Sequence, residues 1–440
     1  MRNSSVLSGS GNCLDSLLDF INKERRRSYT VLEKNYMFFS FCLAVVLMVE
    51  CRSMYVVTVH GIPKSNVLLF GVTVMAVMFC IICCMKLKTR GVIIAAAFFV
   101  YCIPYAVLQT ANRGSTIKFM VLLTVMLLYY FSCSRDRESV PLCLEYYCRL
   151  IVVVAAVSLA FWVAGSLLHV LKPTGQVGTF WTGNENYIRM VPSYFGIYFE
   201  TQDVKFGSLK LTRNSAIFSE APMASFHFCL AFLIQKQLCQ HSKIRSLLLA
   251  IAIVSTVSTT GICFLVLYYL INFILSPSNS KVRKLLKLIL LPLLTIVALS
   301  VVFVLVEDKM ESRSGDIRLD DLRACFRMWM DHFFWGVGIN NTNPIIPYLS
   351  GFRKSNHGLS NSLFLVFACG GLYTGILFYI QFTIGIVRAV MIRDKQRFIL
   401  VFLLFFLFAI TVIPYTYVFI FSLIWSANYR ASSSFAIQEK

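Results

Sequence analysis

SLLLAIAIVSTVSTTGICFLVLYYLINFIL, residues 246–275, is the stretch on which the fold turns. It reads as one long tilted helix or as two short ones, and the surrounding charges choose between them. Apolar blocks near 36–58, 66–85, 91–110, 117–133, 150–171 and 216–235 precede it; blocks near 285–306, 362–387, 398–412 and 413–427 follow. These are lengths that cross a bilayer as helices. With a cytoplasmic N-terminus, the connections holding Lys86/Lys88/Arg90, Arg135/Arg137 and Lys236/Lys243/Arg245 all fall inside. A single crossing by 246–275 would leave Lys281/Arg283/Lys284/Lys287 and Arg388/Arg393/Lys395/Arg397 outside. Two crossings return both clusters to the inside, where basic loop residues accumulate. The break falls at Ser258-Thr259-Thr260-Gly261, small residues suited to a tip that faces protein or water.

The expected fold is an all-α polytopic integral membrane protein of about 12 spans, within a range of roughly 10–13. Residues 1–35 form a cytoplasmic N-terminal segment, 36–430 one transmembrane domain and 431–440 a cytoplasmic tail. Composition agrees. The chain is 58% apolar and only 14% charged, against about 25% charged in a typical soluble domain. That excludes a soluble enzyme, a disordered chain and a secreted disulfide scaffold. Alternating segments of about ten residues, the mark of a membrane β-barrel, are missing. The net charge of +20 does not form a nucleic-acid-binding stripe, because the basic residues punctuate the chain between apolar blocks. Most of the 15 cysteines, Cys80, Cys83 and Cys84 among them, lie in apolar blocks and serve as small apolar side chains. No cleavable signal peptide is evident, and the first apolar block reads as an uncleaved anchor.

Two loops, near 172–215 and 307–361, fall outside and are longer than a compact bundle requires. They hold Trp181, Tyr187, Tyr194, Phe195, Tyr198, Trp329, Phe333, Phe334 and Trp335 beside several arginines. That mixture suits a sugar or lipid-headgroup site; an interfacial aromatic belt is the plainer alternative.

Three constellations carry chemistry. The first is Arg213-Asn-Ser-Ala-Ile-Phe-Ser-Glu220-Ala-Pro222, where the first long loop enters a span. Arg213 and Glu220, seven apart, share a helix face if the segment is helical. Charges in a bilayer are costly, so Glu220 faces the bundle interior or a wet cavity. Either Arg213 holds an anion while Glu220 activates a hydroxyl, or the two are a structural pair. The second runs from Arg318 through Asp320, Asp321, Arg323 and Arg327 to Gly336 and Gly338. It reads as an amphipathic helix closed by a tight turn of positive φ. Its arginines suit a diphosphate, or pair with their acidic neighbours. The third is His357 and Asn361, one face apart if helical, ahead of Gly370-Gly371. A histidine at the surface is a general base near neutral pH, or a solvated loop residue. Walker, GxSxG and HExxH motifs are missing, and residues 51–65 offer no Asp-x-Asp to hold a metal.

At these constellations the chain resembles the O-antigen polymerase/ligase family of bacterial envelope enzymes. The resemblance covers residues 205–390: Arg213 to Pro222, the Thr259-Thr260-Gly261 tip, the Arg318 helix running into Gly336-x-Gly338, and His357/Asn361 before the Gly-Gly span. Thr259 stands where the family often has arginine. Ser360 stands where its histidine is usual, which makes Glu220 a rival to His357 as base. The resemblance implies a GT-C-like bundle with two large periplasmic loops in the bacterial inner membrane. It implies a metal-independent, cofactor-free, inverting glycosyltransferase acting on polyprenyl-diphosphate-linked oligosaccharide. Arg213 and Arg318 would hold the diphosphate, with Arg323 or Arg189 assisting; His357 or Glu220 would activate the acceptor; Asn361, Gly336, Gly338 and Thr259 would support them. A chain-length regulator is the expected protein partner. The expected activity is polymerisation of repeat units into O-antigen, capsule or exopolysaccharide. Ligation to lipid A-core and a flippase or other transporter are the competing readings.

Overall fold

The computed structural model describes residues 31–58, 62–84, 88–133, 140–179, 188–206, 209–238, 242–276, 313–353 and 358–428. The expected span 285–306, most of the N-terminal segment and the C-terminal tail lie outside them. The chain enters as α1 (Val31–Glu50) and a short α2 (Met54–Val57). Next come α3 (Ile62–Cys84), α4 (Thr89–Leu108), α5 (Arg113–Cys133) and α6 (Leu142–Phe161). A π-helical turn, Trp162–Leu167, prolongs α6. Among the described residues, six helices are long and apolar enough to cross a membrane: α1, α3, α4, α5, α6 with its π turn, and α11 (Leu365–Ile392). The chain is thus a helical membrane protein.

The decisive stretch is two helices, α8 (Lys243–Ser255) and α9 (Thr259–Leu275). They meet at a tip where Val257 takes a φ of 47°. Glycine is required beside it, because a Cβ on Gly261 would strike Ser225 Oγ and Ile253.

Between α6 and α8, the helix α7 (Ala221–Gln237) is buried on nearly every side. Pro222 in its first turn suits a helix start, since the proline lacks only an N–H that would have no helical partner. An apolar sequence all round makes α7 the centre of the bundle. The last helices, α12 (Lys395–Ile410) and α13 (Tyr417–Asn428), complete the core with Trp425 fully buried.

The connections gather at two ends. At one end Glu50 reaches Tyr417, Arg52 reaches Glu220, Asn112 reaches Ile339, Asn214 reaches Ser255, and Ser362 reaches Thr411. At the other, Tyr36 bonds the Cys133 carbonyl, Gln237 the Gln396 carbonyl, and Arg388 and Arg397 the Ala427 carbonyl. Lys88, Arg90, Lys243, Arg245, Arg393 and Lys395 belong to this second end.

The first long loop corrects the all-α expectation. It carries β1 (Gly175–Thr179), β2 (Arg189–Tyr194) and β3 (Tyr198–Phe199) as an antiparallel sheet, with Val177 opposite Val191. A hairpin of β4 (Asp203–Phe206) and β5 (Leu209–Thr212) follows. Met54 of α2 packs against Val191 and Phe199, tying the sheet to the chain just beyond α1.

The second long loop carries the amphipathic helix expected there, α10 (Arg313–Asp331). Its apolar face, Ala324, Cys325 and Met328, packs on Val337, Ile345, Leu365, Ala368 and Cys369. Beyond it, Gly336 and Gly338 take φ of 65° and 107°. This turn docks into a break in α11 at Gly371 (φ 62°, ψ −174°). Val337 and Gly338 donate to the Ala368 and Cys369 carbonyls at 3.0 and 2.8 Å; Leu372 and Tyr373 donate back to Phe333 and Phe334 at 2.8 and 3.2 Å. Backbone groups freed by a broken helix must be satisfied internally at membrane depth, and the turn supplies the partners.

A Cβ on Gly371 would strike the Phe334 carbonyl, and its backbone conformation is essentially confined to glycine, at about 1–3 kcal/mol for other residues. Gly371→Ala should therefore lower the thermal midpoint in detergent by several degrees. Gly351→Ala, which meets nothing within 4 Å, should leave it unchanged.

Candidate functional site

Residues 213–220 form an irregular loop rather than the helix face expected from their spacing, because α7 starts only at Ala221. Ala216 sits at a φ of 50°. Asn214 is fully buried and fixes the loop. Its amide donates to Ser158 Oγ and Ser255 Oγ at 3.2 and 2.9 Å, and its Oδ1 accepts the Ala216 N–H at 3.0 Å.

Arg213 and Glu220 are placed by this loop. Arg213 Nε donates to the Thr256 carbonyl at the α8–α9 tip, at 2.9 Å. Its Nη1 donates to Gln202 Oε1 at 3.3 Å, and the same oxygen accepts the Ala221 N–H at 3.2 Å. Gln202 therefore couples Arg213 to the start of α7. Glu220 is the last extended residue before that helix, and its side chain makes no capping bond to it. Its Oε1 accepts from Arg52 Nη1 at 3.2 Å.

Arg318 completes the group from α10. It is half-buried and hydrogen-bonds none of the described residues. Burial pulls its guanidinium below the ordinary range, with Asp321 and Glu220 opposing. Burial lowers Arg213 to about 10, opposed by Glu220 and reinforced by the positive charge of Arg318. Both stay charged near neutral pH. Arg52, Arg213 and Arg318 set against Glu220 give this cluster a net charge of +2. The N-terminus of α7 adds partial positive charge at the same place. Chemically, such a cluster can attract a multivalent anion beside a carboxylate.

Asp321 offsets part of this excess at Arg318, and it is itself held by Arg353, which also lies 3.5 Å from Asp320. Arg353 Nη1 lies 2.7 Å from Asp321 Oδ1 with both side chains fully buried. Ser360 Oγ donates to the other Asp321 oxygen at 2.6 Å. Burial pushes the Asp321 carboxyl up, opposed by Ser360 and Arg353. Arg353 also donates to the Ile317 carbonyl at 3.2 Å and to Gly358 at 2.8 Å. It thus pins the segment after His357 to α10.

His357 itself lies outside the described residues, as do Trp181 and Tyr187. Residues 358–361 are not helical, so the shared helix face expected for His357 and Asn361 is not formed there. Asn361 is buried, and both polar atoms of its amide have no hydrogen-bond partner among the described residues. Thr259 opens α9; the tip group that Arg213 grips is the Thr256 carbonyl. Gly336 and Gly338 shape the turn that carries α10 back to α11. Arg323 is exposed on α10, five residues and about 140° of helix from Arg318. Arg189 opens β2 within the field of Asp203 and Lys210. Neither Arg323 nor Arg189 is drawn into the cluster. Among the described residues no group of three His, Cys, Asp or Glu is arranged to hold a metal.

Residues 244–379 match the O-antigen ligase family. The match is consistent with the O-antigen polymerase/ligase family. The matched segment holds the α8–α9 tip, Arg318, the two turn glycines and Arg353. Arg52, Arg213 and Glu220 precede it in the chain and meet it in space. No curated protein matches the chain.

Sequence reasoning missed Arg52, Gln202 and Arg353. Arg52 and Lys64 are the basic residues of segment 51–65, and nothing in their spacing singles out Arg52. Removing one partner of a buried ion pair costs about 3–5 kcal/mol. Arg353→Met should therefore open residues 343–361 to hydrogen exchange and proteolysis. Pairing it with Asp321→Leu should recover part of the protection, whereas Arg323→Met should change nothing.

Proposed function

We propose that the chain joins polyprenyl-diphosphate-linked oligosaccharide repeat units at the outer face of the bacterial inner membrane. The observation that carries this reading is the cluster of Arg52, Arg213 and Arg318 around Glu220, in which arginines outnumber the carboxylate. Arg213 and Arg318 hold the diphosphate. Arginine suits that task because its planar fork bonds phosphate oxygens in pairs and keeps its charge.

The acceptor hydroxyl attacks the anomeric carbon as the bond to the diphosphate oxygen breaks. The hydroxyl proton passes to Glu220 or His357, and the diphosphate leaves on its lipid with the bonding pair. Charge growing on the leaving oxygen is met by arginines already in place. One in-line displacement inverts the anomeric centre. Placing this end of the bundle outside accords with the basic residues at the opposite end, which fit the cytoplasmic side. The proposed count of about 12 spans adds the shorter helices α7, α8, α9, α12 and α13 and the apolar sequence block 285–306 to the six long helices.

Ligation to lipid A-core is the second reading, favoured by the match of residues 244–379 to the O-antigen ligase family. It uses the same donor chemistry with a different acceptor.

The test is a deletion strain restored with wild type, Arg213→Ala or Arg318→Ala, with membrane accumulation verified and the surface glycan resolved by size. Each substitution should reduce polymer by about 10²–10³-fold. Single repeat units left on the lipid core establish polymerisation. A bare core with polymer on the lipid carrier establishes ligation. Repeat units trapped on the cytoplasmic side point to a flippase, and an unchanged glycan in the deletion strain contradicts all three.

A further inference from the structure

Glu220 has one oxygen taken and one open. Oε1 accepts from Arg52 at 3.2 Å, while Oε2 has no partner among the described residues. The two side chains are 19% and 22% exposed, so the pair is shielded yet reachable. Arg52 comes from the far end of α1, 168 residues away in sequence. Its position is set by backbone as well as by side chain. The Met54 N–H donates to the Ile217 carbonyl at 2.8 Å, and the Ser219 N–H to the Arg52 carbonyl at 3.0 Å. Ser53 and Phe218 form an antiparallel bridge between them. Arg52 holds a φ of 56°, a conformation that costs a non-glycine residue energy and persists only where its surroundings impose it.

A buried clamp imposes it from below. His227 of α7 is fully buried and stacks on Phe218 with ring centroids 4.0 Å apart. Its Nε2 lies 3.2 Å from the Cys51 carbonyl, and its Nδ1 lies 2.6 Å from the Tyr147 hydroxyl. A carbonyl only accepts, so Nε2 carries the proton. In the neutral ring Nδ1 then accepts from Tyr147. The chain Tyr147–His227–Cys51 holds the residue next to Arg52 against the same helix that Glu220 begins.

We propose that Arg52 is a positioning residue. It fixes Glu220 through Oε1 so that Oε2 is presented to the acceptor hydroxyl and takes its proton. This rests on the reading in which Glu220 is the base. Without Arg52 the carboxylate is free to rotate about its last torsions and to turn toward Arg213 or Arg318, occupying charge meant for the diphosphate.

The test is a double-mutant comparison in isolated host membranes carrying the host's own polyprenyl-diphosphate repeat unit, with initial rates of chain extension as readout. Arg52→Met should lower the rate by about 10²-fold, the scale of a misplaced catalytic group. Arg52→Lys should restore much of it. The distinguishing result is coupling: in a Glu220→Gln background, Arg52→Met should cause no further loss. An equal loss in both backgrounds would assign Arg52 a merely structural role and overturn the proposal. So would a wild-type rate for Arg52→Met. A wild-type rate for Glu220→Gln would remove Glu220 as base, and the proposal with it, while the diphosphate reading of Arg213 and Arg318 would stand. Should Arg52→Met fail to reach the membrane, Arg52→Gln, which keeps a donor, carries the same comparison.

Discussion

Arg213 and Arg318 repel each other, and the fold holds them together. Two like charges brought into a partly buried site raise each other's energy, and burial raises it further. Nothing local in either segment would choose that arrangement. Arg213 is kept there by the Thr256 carbonyl and Gln202, which in turn need the buried loop around Asn214 and the tip between α8 and α9. Arg318 is kept there by α10, whose placement needs the Arg353–Asp321 pair and the turn docked in broken α11. The stability of the bundle is what keeps the charges close.

An arrangement of this kind is prepared for its ligand. A bound dianion would relieve the repulsion between the two arginines. In the proposed reaction, charge would move onto the same oxygens as the glycosyl–phosphate bond breaks, and the attraction would be greater in the transition state than in the ground state. Attraction that grows along the reaction speeds the chemistry rather than merely tightening binding. In the same proposal, Glu220, with one oxygen claimed by Arg52, would provide the matching place for the acceptor.

How much of this was legible in the sequence follows from the range of each cause. The α8–α9 tip was legible because charge parity across the membrane is a global count that one sequence contains. Arg213, Glu220 and Arg318 were legible because charged residues beside membrane spans need a reason. The Gly336 and Gly338 turn was legible from residue type alone. Arg52, Gln202 and Arg353 were not, because their roles depend on contacts 168, 11 and 32 residues away. The strands between 175 and 212 were hidden in a loop whose short segments, such as Gly175–Thr179, carry no long alternation. Arg189 and Arg323 shared the residue type of the site but not its place. One sits in the sheet and the other on the opposite side of α10.

The most direct measurement is the thermal stability of the purified protein in detergent as inorganic pyrophosphate is added. A site that stores repulsion between Arg213 and Arg318 should be stabilised by the anion in a saturable way. Arg213→Ala and Arg318→Ala should each lose that stabilisation, and Arg323→Ala should retain it. An absence of stabilisation in the wild type, or one that survives both substitutions, would contradict the account.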